Sequence, residues 1–369
     1  ESHVSAAVIC SQKLGFQLKI RSGGHDYEGL SYVFDKPFFV LDMFNLRSIT
    51  VNMADETAWV GAGATLGELY YNIWKNSKVH GFPAGVCPTV GVGGHLSGAG
   101  YGTLIRKYGL SVDHVVDAKL VDNLFMRMLL QPVTRNKKKT ARISVIALYL
   151  GDSDSLVSLL QKDFPELSIG KSNCNETTWI DSVLWWANFD LGTPPTALLD
   201  RDLNDAGFLK RKSDYVQTPI PKSGLESLWQ KMIELGKVGM VFNAYGGRMD
   251  QIKPDETPFP HRAGNLYKIQ YSVNWDQPGS EADKNFTTQA KLLHDFMTPF
   301  VSKNPRSAYF NYRDIDVGST KKWSYEEGKV YGESYFNGNY ERLVDVKTAV
   351  DANNFFRNEQ SIPPRSSKI

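Results

Sequence analysis

Residues 81–102 read Gly-Phe-Pro-Ala-Gly-Val-Cys-Pro-Thr-Val-Gly-Val-Gly-Gly-His-Leu-Ser-Gly-Ala-Gly-Tyr-Gly, with glycine at 81, 85, 91, 93, 94, 98, 100 and 102. Each glycine inside a helix or strand costs about 0.5–1 kcal/mol relative to alanine, so this stretch reads as irregular loop. It suits a backbone that runs close to a bulky group with N–H groups free to point at it. Cys87 stands near its entry. A second glycine loop, Arg21-Ser-Gly-Gly-His-Asp-Tyr-Glu-Gly-Leu-Ser-Tyr32, lies upstream and carries His25. Neither loop matches the dinucleotide fingerprint or the phosphate-binding P-loop. By residue type alone, Cys87 reads as a small buried thiol and His25 as a hydrogen-bonded loop histidine.

The rest of the chain excludes several classes. A length of 369 residues allows two or more domains. No run of 18 apolar residues exists, so no membrane span is expected. The net charge of +2 comes from scattered basic residues, which gives no case for nucleic acid. The basic run Asn136-Lys-Lys-Lys-Thr140 reads as a solvated turn. The seven histidines lack metal-ligand spacing, so no metal site is indicated. No Gly-x-Ser-x-Gly elbow is present, which argues against a hydrolase.

The elements expected are α+β. Val4, Ala7, Val8 and Leu14 have helical spacing, and Gly15 ends that helix. Phe16–Ile20, Pro37–Leu41 and Ala58–Val60 read as strands. Leu66–Trp74 reads as a helix with Thr65 as N-cap and Glu68 at the capping-box position. A turn and then a strand follow Arg106. Beyond Asp122, strands are expected at Phe125–Leu130, Ile143–Tyr149, Val238–Ala244 and Leu266–Trp275. Helices are expected at Ser153–Leu160 (capped by Ser153 or Asp154), Trp179–Trp186, Gly224–Gly236 and Lys284–Met297. Ala308–Arg313 returns towards the glycine loops.

The two loops, taken with Asp351-Ala-Asn-Asn-Phe-Phe-Arg-Asn-Glu-Gln-Ser-Ile-Pro-Pro364, closely resemble the berberine bridge enzyme-like family of plant flavoproteins. The resemblance implies FAD bound bicovalently, with His25 on the flavin 8α-methyl and Cys87 on C6. It implies a two-lobed FAD-binding domain of the vanillyl-alcohol-oxidase type, and a substrate domain with an antiparallel sheet covered by helices. The expected division is an FAD domain at 1–122, a substrate domain at 123–318, and a segment 319–369 that packs back on the first. The family pattern breaks at Asp122, so part of the flavin domain is expected to be missing there and before Glu1. Flavin contacts implied by motif position are Arg21, Ser22, Gly23, Gly24, Asp26, Thr89, Val90, Gly93, Gly94, His95, Gly98, Gly100, Tyr309 and Asn311. Family members pair the cysteine equivalent to Cys10 with one near the mature N-terminus. The compartment implied is the apoplast, cell wall or vacuole. The sequons Asn175-Glu-Thr and Asn285-Phe-Thr agree with a secreted glycoprotein.

The chemistry centres on the strand Leu266–Trp275, where Lys268 and Gln270 are two apart and share a face. The resemblance places them on the substrate-facing wall, together with Tyr27, Tyr101 and Tyr312. A free phenol has a pKa near ~10, so ionising it at pH 7 costs about 4 kcal/mol. A lysine ammonium ~4 Å away offsets about 4 kcal/mol at an effective dielectric near 20. Lys268 beside Tyr101 or Tyr312 would thus let a tyrosine act as base while hydride passes to flavin N5.

The expected function is oxidation of an alcohol of a secondary-metabolite, phenylpropanoid or carbohydrate type, with molecular oxygen as acceptor. Oxidative or pericyclic ring formation is the enzymatic alternative. A non-catalytic flavin-carrying surface or pollen protein is the other.

Overall fold

A computed structural model of the protein describes residues 2–114, 123–201 and 207–365. Its first part runs α1 (Ser2–Leu14), β1 (Gln17–Arg21), β2 (Phe38–Asp42), β3 (Ile49–Asn52), β4 (Thr57–Val60), α2 (Leu66–Asn76), α3 (Val92–Ser97) and α4 (Ile105–Tyr108). Gly15 ends α1 at φ +69°, a region only glycine enters freely. β1 and β2 pair in parallel and β3 and β4 antiparallel. α2 carries the expected capping box: Glu68 N–H donates to Thr65 Oγ1 at 3.3 Å, and Thr65 N–H donates to Glu68 Oε2 at 2.9 Å. α3 corrects the irregular loop expected from the glycine content. Gly91 takes its N-cap position, and Val92 is buried with its N–H on Ala64 O at 2.9 Å, so tertiary contact overrides the poor helix propensity. The strand expected after Arg106 falls on 115–122, outside the described residues.

The second part is built on β5 (Leu124–Arg135), β6 (Lys138–Tyr149), α5 (Ser153–Asp163), α6 (Trp179–Trp186), β7 (Phe208–Val216), α7 (Lys222–Leu235), β8 (Gly239–Ala244), α8 (Arg248–Gln251), β9 (Tyr267–Trp275) and α9 (Ser280–Phe296). Its five strands form one antiparallel sheet in the order β6-β5-β8-β9-β7. α7 and α9 cover one face. Leu228, Met232, Ala290 and Leu293 pack there on Met240, Ile269, Tyr271 and Val273. The other face looks towards the glycine loops. α5 is capped by Asp152, whose Oδ1 accepts Ser155 N–H at 2.8 Å, rather than by Ser153 or Asp154. β7 escapes the alternation rule because Lys210 and Lys212 are buried. They pair with Glu28 (2.6 Å) and with Asp314 (2.9 and 2.8 Å). These pairs tie the His25 loop to the sheet edge.

The C-terminal part holds α10 (Tyr325–Phe336) and α11 (Tyr340–Val350), neither expected from sequence. Gly328 and Gly332 look like helix breakers in α10. A Cβ on Gly332 would stand 2.2 Å from the Tyr340 ring, so glycine there is what close packing demands. The tail reaches the first part where Gln17 Nε2 donates to Phe355 O at 2.9 Å.

Candidate functional site

The two glycine loops lie against each other backbone to backbone. A Cβ on Gly23 would meet Gly91 N at 2.2 Å, so part of the glycine content serves this contact. Across the contact, His25 Nε2 and Thr89 Oγ1 are 3.0 Å apart, which leaves His25 Nδ1 on the other side of the ring. Burial lowers the His25 pKa and favours neutral, nucleophilic imidazole. Cys87, two residues before Thr89, is solvent-exposed although protein atoms crowd around it, as for a side chain facing a concave surface. That crowding pushes its thiol pKa up.

Neighbouring groups hold this frame. Arg21 pairs with Asp42, and Ser22 Oγ donates to Ala62 O. Asp26 Oδ1 accepts the N–H groups of Glu28 (3.0 Å) and Leu30 (3.2 Å), and its other oxygen pairs with Arg313. His95 is buried and neutral, its pKa lowered to about 4 by desolvation, and its Nε2 accepts Gly85 N–H at 3.1 Å. Asn311 Nδ2 donates to His95 O at 3.1 Å, and Tyr309 N–H donates to Ser213 Oγ at 2.9 Å. The segment 309–312 is thus pinned between α3 and the sheet.

On the sheet face opposite α7 and α9, the register puts Arg127 beside Asn243 and Asn243 beside Lys268. Arg127 Nε donates to Asn243 Oδ1 at 3.0 Å, and Arg127 Nη2 donates to Tyr101 Oη at 3.0 Å. Tyr101 Oη itself donates to Asn243 Oδ1 at 2.9 Å and accepts from Tyr312 Oη at 3.2 Å. Gln270 Nε2 donates to Tyr27 Oη at 3.2 Å, and the Tyr27 and Tyr312 rings lie 5.9 Å apart. All five residues expected to carry the chemistry, Tyr27, Tyr101, Lys268, Gln270 and Tyr312, therefore meet in one cluster.

Lys268 lies beside Tyr101 and Tyr312, as expected, but over their ring faces rather than at a hydroxyl. Its Nζ is fully buried without a hydrogen-bond partner among the described residues and sits 3.4, 3.8 and 4.3 Å from the ring centres of Tyr101, Tyr309 and Tyr312. Burial, and then the nearby Arg127 charge, push its pKa well below the lysine range. The permanent cation at the Tyr101 hydroxyl is Arg127. Burial opposes its charge, but the Tyr101 and Tyr312 hydroxyls outweigh burial and raise its pKa. Sequence reading passed over Arg127 and Asn243. The signal was a lone arginine in the apolar run Phe-Met-Arg-Met-Leu-Leu. Burial also raises the Tyr312 and Tyr27 pKa values, so those hydroxyls stay protonated.

This donor set suits a flavin: a neutral histidine and a thiol on abutting loops, facing a polar sheet with a buried amine and an unpaired Asn243 Nδ2. Comparison with known proteins gives the same class. Residues 1–124 match the FAD binding domain family model, and residues 308–363 match the model described as berberine and berberine like. The chain is an FAD-linked oxidoreductase. It is 53% identical to berberine bridge enzyme-like 19 of Arabidopsis thaliana over 440 aligned positions, covering 98% of this chain and 77% of that relative. The chain belongs to the berberine bridge enzyme-like family of plant enzymes. Against its own 369 residues, an alignment of that length means the relative carries internal stretches with no counterpart here.

Among solved structures, BBE-like 28 from Arabidopsis thaliana superposes with a TM-score of 0.88 at 38% identity, covering 98% of this chain and 90% of that one. The grass pollen allergen Phl p 4, described as having glucose dehydrogenase activity, gives 0.90 at 35% identity, with 98% and 88% covered. A variant of that allergen with valine in place of isoleucine is described as a glucose oxidase. No described helix is long and apolar enough to cross a membrane.

Proposed function

We propose that this chain is an FAD-dependent oxidase of a plant secondary-metabolite, phenylpropanoid or carbohydrate alcohol, working with a tyrosine base in a secreted or vacuolar setting. FAD, held through His25 and Cys87, supplies the hydride acceptor. Tyr101 takes the hydroxyl proton of the alcohol, and the observation that carries this role is the Arg127 guanidinium 3.0 Å from its oxygen. Bonds from Arg127 and Tyr312 hold the oxygen in one place and are aimed at the atom that would take the proton. Gln270 orients Tyr27 on the opposite wall. The buried Lys268 amine and Asn243 Nδ2 are unpaired donors beside Tyr101, available to a substrate oxygen.

Molecular oxygen is the acceptor this reading favours. Position 90, three after Cys87, carries valine. Exchanging isoleucine for valine accompanies oxidase character in the pollen allergen. One methylene is enough to decide whether a packed site keeps a dioxygen-sized space.

The test is anaerobic mixing of the flavin-loaded protein with a panel of allylic, benzylic and carbohydrate alcohols. Bleaching of the flavin with one aldehyde or lactone formed per flavin is expected. Bleaching that yields a ring-closed product would move the assignment to the cyclising class, and no bleaching by any alcohol would refute the proposal.

A further inference from the structure

The sheet face that carries the tyrosine cluster continues beyond it. Antiparallel register sets side chains in transverse rows, and only alternate residues of each strand face this side. Arg127, Asn243 and Lys268 make the first row, and Leu129, Val241 and Gln270 the second. Gln131 with Arg142, Gly239 and Ser272 make the third. Rows are ~6.6 Å apart, so the third lies ~13 Å from the first.

A trough of about 430 Å³ runs over the second and third rows. Leu129 and Val241 line its inner end, next to Gln270. Gln131, Arg142, Ser272 and Asn274 line the outer part, with Lys237 beyond. Gly239 opens its floor, where a Cβ would stand 3.6 Å from Gln131 Cγ. Among the described residues, two cations line the trough and no carboxylate does. Arg142 Nη2 donates to Gln131 Oε1 at 2.8 Å, which orients the guanidinium and leaves its other N–H groups for a ligand. Arg211 ties the trough to the cluster. Its Nη2 donates to Asn274 Oδ1 at 2.6 Å, and its guanidinium lies 5.6 Å from the Tyr27 ring centre.

We propose that this trough is an outer subsite of the same active site and takes the anionic far end of an elongated alcohol substrate, a carboxylate standing ~13 Å from the carbinol carbon. The inner end rests on the alcohol-oxidase reading. The apolar second row accepts a neutral middle section. In the third row, Arg142 and Ser272 donate to the carboxylate, a charge-assisted arrangement.

The probe is a cinnamyl alcohol with a 4-carboxybutyl ether para to its chain, set against its methyl ester, with affinities measured by calorimetry on the flavin-loaded protein. The acid should bind about tenfold more tightly than the ester, and added salt should narrow the gap. Arg142 is exposed, so Arg142→Gln should fold normally and abolish the preference, and Lys237→Gln should reduce it. Equal affinities, no binding of either compound, or a preference untouched by Arg142→Gln would overturn the proposal. Flavin bleaching by the same two compounds is read separately. Tighter binding of the acid without bleaching would leave the subsite standing and refute the alcohol reading.

Discussion

Replacing Arg127 by methionine keeps a long side chain and removes the one fixed charge at the Tyr101 hydroxyl. A unit charge about 4 Å from a phenolate oxygen, at an effective dielectric of about 20, is worth about 4 kcal/mol. At pH 7 the rate should fall by about 10²–10³-fold, within the usual range for a lost general base. Part of the loss is recoverable. Arg127 is itself the second cause, after burial, of the depressed Lys268 pKa. Without Arg127 the Lys268 amine holds a proton more readily and supplies some of the missing charge. The double variant Arg127→Met/Lys268→Met should therefore be slower than the two single effects combined, a coupling that contact distance allows. The assay is anaerobic stopped-flow bleaching of the flavin from pH 5 to about 10. Melting temperatures serve as the control, because Arg127 also bonds Asn243 and lies 5.0 Å from the Trp186 ring centre. A flavin-reduction rate unchanged in Arg127→Met but slowed in Lys268→Met would put the working charge on the lysine and refute this reasoning.

Three further outcomes are expected. Acid-precipitated protein should stay yellow, and peptide mass mapping should find flavin on both His25 and Cys87. Thr89→Val, which removes the hydroxyl 3.0 Å from His25 Nε2, should lower the fraction linked at His25 while the Cys87 link stays complete. Val90→Leu should slow reoxidation of the reduced protein in aerated buffer by an order of magnitude or more, with substrate-driven bleaching nearly unchanged. Reoxidation over many minutes in the unmodified protein would show that oxygen is not the acceptor. Stability should fall as pH drops below 6.5. His95 and His261 are buried and neutral, with pKa values lowered from 6.5 to about 4 and about 3, mainly by desolvation. Between those values the unfolded chain binds more protons, so each histidine contributes a slope of up to about 1.4 kcal/mol per pH unit, and the His95 part levels off below about 4. Melting scans should show the decline, and His261→Phe should flatten it.

The sequence made the α2 capping box, most strands of the large sheet and the meeting of the five chemical residues legible, because each is written in local spacing or in a motif. β7, α10 and α3 were not, and the reasons are physical. Buried ion pairs put lysines where alternation expects apolar side chains, and close packing puts glycines where propensity expects a break. Composition cannot distinguish a lysine solvated at a strand end from one paired with Asp314 inside the protein.

The identity of the cation beside the base belongs to the same kind of blindness, and it bears on mechanism. Tyr101 could be aligned with Lys268 by motif, since both lie in stretches that resemble the family. Which cation touches the hydroxyl depends instead on register: β5 pairs with β8 so that Arg127 falls opposite Asn243, and β8 with β9 so that Asn243 falls opposite Lys268. A slip of one residue in the first pairing would turn Arg127 to the face covered by α7 and leave Lys268 as the only nearby charge. With the observed register, the guanidinium reaches the oxygen through a directed hydrogen bond, while the amine lies over ring faces. Those two placements do different things. A donor in line with the oxygen strengthens as charge develops there, whereas a cation over a ring face is attracted to the π system and gains little from proton transfer at the rim. On the proposed function, the oxygen of the base is therefore held by a residue on a neighbouring strand of the sheet, and the lysine that the motif makes conspicuous lies over ring faces, where burial disfavours its charge.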